Sequence, residues 1–381
     1  MKQLKDLERI AELFQENFDH FSELGASLCI IYQDEEVIDL AGGYRDREKK
    51  LSWTADTPVL IWSATKGPAS ACLIHAALTH GVHLDSKITA LWPEYGNEGK
   101  EDTTLLQILT HQAGQVALRD PAISILDYEA VVTQLARQKP FWKPGEAHGY
   151  HPRTYGFLLD ELVRRITQGT PLGLYFQEVF GKALNLDLWI GLPDSAASKV
   201  SPVFAPRKTR VSNTEDPFYE ALAQPDSLTR KAFTTPSGLN APSMMNDPAV
   251  RRHSLPSMGG IGTAKSLARF YSSFCSNGFF SPQIVDKIAS PYRQGLDQVL
   301  RVDTAFGIGF MKDPVVNRIK TRTLFGPSTV SFGQPGSGGS VGFCDPENGV
   351  AFAYVMNQME PGLFPGTKSL RIVKHFYDMC L

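Results

Sequence analysis

Apolar residues recur at helical spacing through the N-terminal segment, at Leu4, Leu7, Ile10, Leu13, Phe14, Phe18 and Phe21. That period predicts an amphipathic first helix. The pattern then shortens to alternation. "ASLCIIY" and "VIDLAGGY", separated by "QDEE", predict the two strands of a hairpin. Residues 64–80 are mostly apolar and predict a buried helix ending at Gly81. Pro68 is tolerated only in a first turn, so this helix either starts late or bends there.

"DTTLLQILTHQAG" predicts another helix, capped by Thr103 and stopped by Gly114. Tyr155, Leu158, Leu159, Leu162 and Ile166 mark a third, entered through Pro152 and closed by Gly169. Residues 196–256 are rich in Pro, Ser, Thr and Asn with weak periodicity, and predict surface loops around short helices. "GTAKSLARFYSSF" returns to helical spacing, with Thr263 as its cap. The end of the chain is β-rich: "STVSFG", "GSVGFC" and "VAFAYVMN", the last two joined by the turn signal "DPENG". A final helix is expected over residues 369–377.

Strands thus sit at both ends of the chain with helices between them, which favours an α+β fold over alternating βαβ units. The simplest assembly is one antiparallel β-sheet made from the N-terminal hairpin and the C-terminal strands. The first and last helices would cover one face. An α/β lobe of 1–85 and 257–381 would then face a mostly helical lobe of 86–256, with a cleft between them.

Composition narrows the function. The 381 residues are 42% hydrophobic and 20% charged, with a formal net charge of -2. A chain of this length can bury a large core without disulfides or metal. Its charge argues against broad nucleic-acid binding, which needs a basic surface. Cys29, Cys72, Cys275, Cys344 and Cys380 are scattered and odd in number, with no C-x-x-C. They are neither a disulfide framework nor a zinc site. The first residues are not those of a secretory signal, and no apolar run is long enough to cross a membrane. A soluble, cytoplasmic protein without membrane partners is expected.

"LIWSATKGPA", from Leu60 to Ala69, holds the first candidate chemistry. A lysine between two apolar runs is costly unless its charge, or the loss of that charge, has a use. On a helix Ser63 and Lys66 would share one face, with Cβ atoms about 5–6 Å apart. A serine hydroxyl is a poor nucleophile until a base takes its proton, and a lysine can be that base once burial lowers its pKa. Near a helix start, free N–H groups could also help bind an oxyanion. Tyr150 precedes Pro152 by two residues, so the positive end of the third helix would favour its phenolate. It could then exchange protons with Ser63. "FGQPGSGGSVGF", residues 332–343, packs many glycines before a strand. Close backbone approach, to a ligand or in a tight turn, accounts for them.

Ser-x-x-Lys, then a Tyr-containing P-G-x-x-x-x-Y segment, then a Gly-rich strand, together resemble the serine β-lactamase and penicillin-binding-protein superfamily. "WSATKG", "LLQILTHQAG", "WKPGEAHGYHPRTYGFLL", "SMGGIGTAKSLARFY", "AFGIGFM" and "PGSGGSVGFCDPENGVAFAYVMN" extend the likeness over most of the chain. Within the superfamily the chain is most similar to family VIII carboxylesterases, which are class C β-lactamase-like. The resemblance implies one β-lactamase/transpeptidase-like unit over 1–381. It implies Ser63 as acylated nucleophile, with Lys66 and Tyr150 as general base and acid. Backbone N–H groups of Ser63 and Ser337 would form the oxyanion hole. His151, Gln334 and Gly336 would bind substrate.

Gln334 stands where β-lactamases carry a lysine. A neutral amide can only hydrogen-bond, which disfavours substrates ending in carboxylate unless Arg153 or another arginine restores the charge. The expected function is a serine carboxylesterase acting on a small-molecule ester with a short acyl chain, without cofactor or metal. A β-lactamase, a D-amino peptidase or an acyltransferase on the same fold are alternatives, as is a non-catalytic binding or scaffold protein. Loops in 115–130 and 196–256 would set the substrate. "GGSVG", Gly338 to Gly342, fits the G-x-S-x-G of α/β-hydrolases, but that motif needs a helix after its serine. Strand-like residues follow Ser340, so it is set aside. His111 is read as structural.

Overall fold

A computed structural model of the chain describes residues 2–207, 217–275 and 278–380. Side chains of residues 2–7 and of Cys380 lie outside that description, and so do residues 208–216 of the expected loop region.

The main sheet has eight antiparallel strands in the order β2-β1-β13-β12-β11-β8-β7-β6. β1 (Gly25–Tyr32) and β2 (Glu35–Gly43) are the expected hairpin. β13 (Val350–Met356) pairs with β1 from Ala26↔Met356 to Tyr32↔Val350, which joins the two ends of the chain. β12 (Val341–Asp345) and β11 (Phe332–Pro335) follow. β8 (Met311–Lys312), β7 (Asp303–Phe306) and β6 (Arg293–Leu296) complete the sheet. β11 is shifted from the expected "STVSFG": residues 328–331 form a turn, and the strand begins at Phe332.

Alternate residues of β1 and β13 enter cores on both faces of the sheet, which is why the two strands are apolar except at Ser27, whose hydroxyl accepts from Trp53 Nε1. Leu28, Ile30, Phe352 and Tyr354 enter one core cluster, and Cys29, Ile31, Ala351 and Ala353 the other. Helices α1 (Lys2–His20) and α12 (Thr367–Cys380) cover the first face. α12 is longer than its apolar pattern suggested. α10 (Ala264–Ser272) covers the second, with Thr263 capping it by accepting from Ser266 N–H, as expected. A Cβ at Gly342 would stand 2.5 Å from the Tyr271 ring, so β12 and α10 can touch only across a glycine.

The middle of the chain is mostly helical. α2 (Lys66–Thr79) packs on α5 (Thr154–Ile166) and α6 (Leu172–Phe176). Pro68 falls in the first turn of α2, which resolves the conflict by a late start. α3 (Leu105–Leu109) is shorter than expected and begins at Thr104, not Thr103. Thr104 and Gln107 make a reciprocal capping box. α4 (Tyr128–Arg137) lies against α5. α7 (Pro217–Ala223), α8 (Leu228–Thr234) and α9 (Pro248–Arg252) are the short helices of the Pro- and Ser-rich region. α11 (Pro282–Ala289) precedes β6.

Two small sheets had no signal in the pattern. β9 (Val315–Val316) and β10 (Ile319–Lys320) form a short ladder. β3 (Val59–Trp62), β5 (Gly260–Gly262) and β4 (Leu188–Ile190) form a three-stranded sheet that ends beside Ser63. No helix among the described residues is long and apolar enough to cross a membrane.

Candidate active site

Ser63 lies at a sharp junction. β3 ends at Trp62, whose φ of 50° and ψ of -133° put a bulky residue in left-handed backbone. A 3-10 turn, Ser63–Thr65, then leads into α2. Thr65 Oγ1 donates to Trp62 O and accepts from Gly260 N–H at 2.8 Å, which fastens the junction to β5. A Cβ at Gly260 would come within 2.6 Å of that same hydroxyl. The strained turn is thus held from a second strand, as strain at a functional position must be.

Lys66 is wholly buried. Its Nζ donates to Ser257 O at 2.8 Å and to Pro152 O at 3.0 Å, and lies 3.3 Å from Ser63 Oγ. It also sits over the Tyr150 ring, 4.6 Å from the centroid. Burial lowers its pKa well below the usual 10.5, and no anion opposes the shift. The neutral amine has two N–H donors and one lone pair. Two carbonyls take the donors, so the lone pair is left for the Ser63 hydroxyl. The carbonyls are themselves fixed: Ser257 Oγ donates to Arg153 O at 2.8 Å and accepts from Gly156 N–H at 2.6 Å, bonding its segment to the start of α5.

Tyr150 is 5% exposed, and its phenol lies beside Ser63 on the cavity wall. Gln334 Nε2 donates to that phenol at 3.3 Å. Burial raises the Tyr150 pKa above 10, and the neighbouring Ser63 hydroxyl offsets only part of the rise. The expectation of a favoured phenolate is therefore corrected. α5 begins at Thr154, and the nearest amine is one that prefers to be neutral.

Ser63, Tyr150, Gln334, Pro335 and Ser337 line one cavity of ≈ 250 Å³. Its other walls are mainly apolar, including Phe218, Leu222, Phe233 and Phe364. Ser337, like Ser63, opens a 3-10 turn, where the first N–H groups have no partner inside the turn. Gly338 and Gly339, at φ 82° and 113°, make that turn possible.

The remaining sequence candidates are placed differently. Gly336 is absent from the cavity wall: its missing side chain lets the segment close on Ile61 O, where a Cβ would stand at 2.3 Å. His151 is 1% exposed. Its Nδ1 donates to Gly149 O at 2.7 Å, and Nε2 accepts from Gln115 N–H at 3.2 Å. With both nitrogens engaged by backbone, it corrects to a framework residue. Burial brings its pKa down to about 3. Arg153 donates to Pro236 O, Gly238 O and Asn240 Oδ1, so it restores no charge to the cavity. Ser340 is buried and followed by β12, not by a helix. His111 is buried against Tyr150, Tyr155 and Phe306, in keeping with a structural role. Among the described residues no three His, Cys, Asp or Glu side chains converge as metal ligands.

The Beta-lactamase family matches residues 14–374. The chain belongs to the beta-lactamase family. An esterase/beta-lactamase, LipL, of Mycobacterium tuberculosis is 29% identical over 346 residues, covering 88% of this chain and 77% of LipL. The structure is similar to a penicillin-binding-protein homologue from Caulobacter crescentus, with TM-score 0.83 and 31% identity over 98% of this chain and 97% of that one. It is also similar to a family VIII carboxylesterase, with TM-score 0.85 and 28% identity over 99% and 98%. This beta-lactamase-family chain is a serine hydrolase of that superfamily.

Proposed function

We propose that the chain hydrolyses small, neutral carboxylic esters through an acyl-Ser63 intermediate. The three-way coordination of Lys66 Nζ carries this proposal, because in its neutral form the two carbonyls occupy both N–H groups and leave the lone pair for the one hydroxyl beside it. Lys66 takes the Ser63 proton as Oγ attacks the ester carbonyl. Backbone N–H groups of Ser63 and Ser337 hold the oxyanion, each contributing about 3–4 kcal/mol. Tyr150, a neutral phenol at rest, gives its proton to the departing alkoxide. The proton on Lys66 returns to Tyr150 oxygen, over whose ring the amine lies. Water then attacks the acyl-enzyme, the same groups accept its proton and pass it to Ser63 Oγ as the acyl–oxygen bond breaks, and the acid leaves a restored Ser63 hydroxyl.

Substrate class follows from what surrounds these groups. Gln334 offers an amide where a carboxylate-bearing substrate would want a cation, and Arg153 is committed elsewhere. The cavity is smaller than the roughly 300–1,000 Å³ typical of drug-sized ligands. Both favour short neutral esters over β-lactams or peptides.

The test compares wild type with Ser63→Ala on p-nitrophenyl butyrate and nitrocefin, with a fluorophosphonate probe to locate the nucleophile. Butyrate hydrolysis that disappears in Ser63→Ala, with the probe on Ser63, is the expected result. Faster turnover of nitrocefin would make the chain a β-lactamase. Diversion of the acyl group to an added alcohol would make it an acyltransferase. A folded chain that reacts with no acyl probe would be a binding protein.

A further inference from the structure

One fully buried carboxylate has no part in the chemistry above. Asp297 lies in the turn between β6 and β7 and is 0% exposed. Its oxygens accept from the Tyr150 backbone N–H at 2.9 and 3.1 Å. Oδ1 also accepts from Val299 N–H and Leu300 N–H, both at 2.8 Å, and Oδ2 from the Thr304 hydroxyl at 3.1 Å. A second tie runs parallel: Gln298 N–H donates to His148 O at 3.0 Å, and His148 Nε2 is 3.0 Å from Thr304 Oγ1. Residues 148–150 belong to neither a helix nor a strand. Their position is therefore set by these bonds, together with Gly149 N–H to His111 O at 3.1 Å, and not by a regular ladder. On the site side Tyr150 meets Ser63, Lys66 and Gln334, and its ring also packs against His111.

We infer that Asp297 is a positioning residue that fixes the backbone of Tyr150, so that its phenol meets the departing alkoxide. This rests on the ester-hydrolase mechanism proposed above. Removing the carboxylate would loosen Tyr150 while leaving Ser63 and Lys66, held by β3, α2 and Ser257, in place. The step affected is proton delivery as the C–O bond breaks. Its importance depends on the leaving group. p-Nitrophenolate is stable without a proton, whereas ethoxide is not. General acid catalysis contributes about 10²–10⁴-fold where it is needed.

The experiment measures kcat/KM for ethyl butyrate and p-nitrophenyl butyrate in wild type, Asp297→Asn and Thr304→Val, with thermal melting of each variant. Asp297→Asn should lose on the order of 100-fold on the ethyl ester and less than about tenfold on the aryl ester. Tyr150→Phe should show the same split, and Asp297→Asn added to it should cost little more, since both changes remove one function. Thr304→Val, which keeps the carboxylate and removes one of its donors, should show a smaller split of the same sign. It decides the matter if Asp297→Asn does not fold. Equal losses on the two esters, or no loss, would reduce Asp297 to a structural group and overturn the inference while leaving the hydrolase intact. A wild type that hydrolyses neither ester would instead remove the mechanism, and this inference with it.

Discussion

Lys66 and Lys100 are each fully buried, each donate to two backbone carbonyls, and each lie over the ring of a tyrosine. For Lys100 the carbonyls are those of Ala136 and Gln138, and the ring is Tyr95 at 5.3 Å. Burial lowers both amines. Lys100 comes down to about 8, held up by Glu98, while Lys66 has no anion to hold it up. The deciding difference is the third partner. Lys66 has a serine hydroxyl at 3.3 Å on the wall of a cavity. For Lys100 the structure gives no hydroxyl in that place. A buried lysine with two carbonyls is therefore a structural motif that this fold uses twice. Under the proposed mechanism it serves as a base only where the chain also places a serine hydroxyl beside it.

The largest effect that could break this comparison is on activity. Lys66→Met should lower kcat/KM for p-nitrophenyl butyrate by about 10³-fold or more, since it removes the proposed base. Lys100→Met should leave kcat/KM of the folded enzyme within a few-fold of wild type. Its cost falls on stability, about 1–3 kcal/mol for each carbonyl left without a donor. Steady-state kinetics beside thermal melts separate the two outcomes. Comparable loss of activity in both variants would mean that buried amines act here through the fold alone.

The sequence reveals only part of this contrast. Ser-x-x-Lys stands out because Lys66 interrupts an apolar run, and Lys100 carries no such mark within "GNEGKEDTT". The carbonyls that tune either lysine are invisible in sequence, because every residue has one. Asp297 escaped notice for the same reason: its partners are mainly backbone N–H groups, which no side-chain pattern encodes. The hairpin, the α10 cap and the joining of the chain's two ends were legible, since period-2 and period-3.6 burial write themselves into apolar spacing. β3, β4 and β5 pair through only three residues in each register, too few for a period to show. The protonation of Tyr150 was misjudged because a helix start was weighed and burial was not. His151 was assigned to substrate by resemblance alone, although its ring turns back to Gly149 and Gln115.

A middle-sized effect sharpens the role of charge around Lys66. Gln334→Lys would set a second ammonium next to the Tyr150 phenol, 3.3 Å from the present amide nitrogen. A nearby cation favours phenolate and disfavours a protonated Lys66. Nitrocefin, which carries a carboxylate, should gain about tenfold in kcat/KM relative to p-nitrophenyl butyrate, equivalent to about 1.4 kcal/mol. The acid limb of the pH profile should move to lower pH. The variant should also melt lower, because Gln334 is 2% exposed and the new charge must be buried. An unchanged ratio of the two substrates would show that charge at this position does not choose between them.

The smallest effect lies in how stability depends on pH, and it distinguishes the two lysines without any substrate. An amine whose folded pKa is depressed adds stability that is complete above the unfolded pKa of 10.5 and is lost as pH falls toward the folded value. Between those limits the unfolded chain binds the extra proton. For Lys100 the window runs from 10.5 down to about 8. For Lys66, lowered well below 10.5 by burial alone and with nothing opposing it, the window likewise opens downward from 10.5. Replacing either lysine by Met removes its own slope and leaves the slopes of all other groups in place. The difference in melting temperature between Lys66→Met and wild type should therefore rise in the variant's favour as pH falls from 10.5. The same difference for Lys100→Met should be nearly flat below about 8 and begin to fall only as pH rises above it. Each pH unit inside a window is worth about 1.4 kcal/mol, or roughly 1–3 °C for a chain of this length. A Lys66→Met difference that levels off at the same pH as the Lys100→Met difference would place the two amines in the same electrostatic class, and leave the hydroxyl of Ser63 as all that separates them.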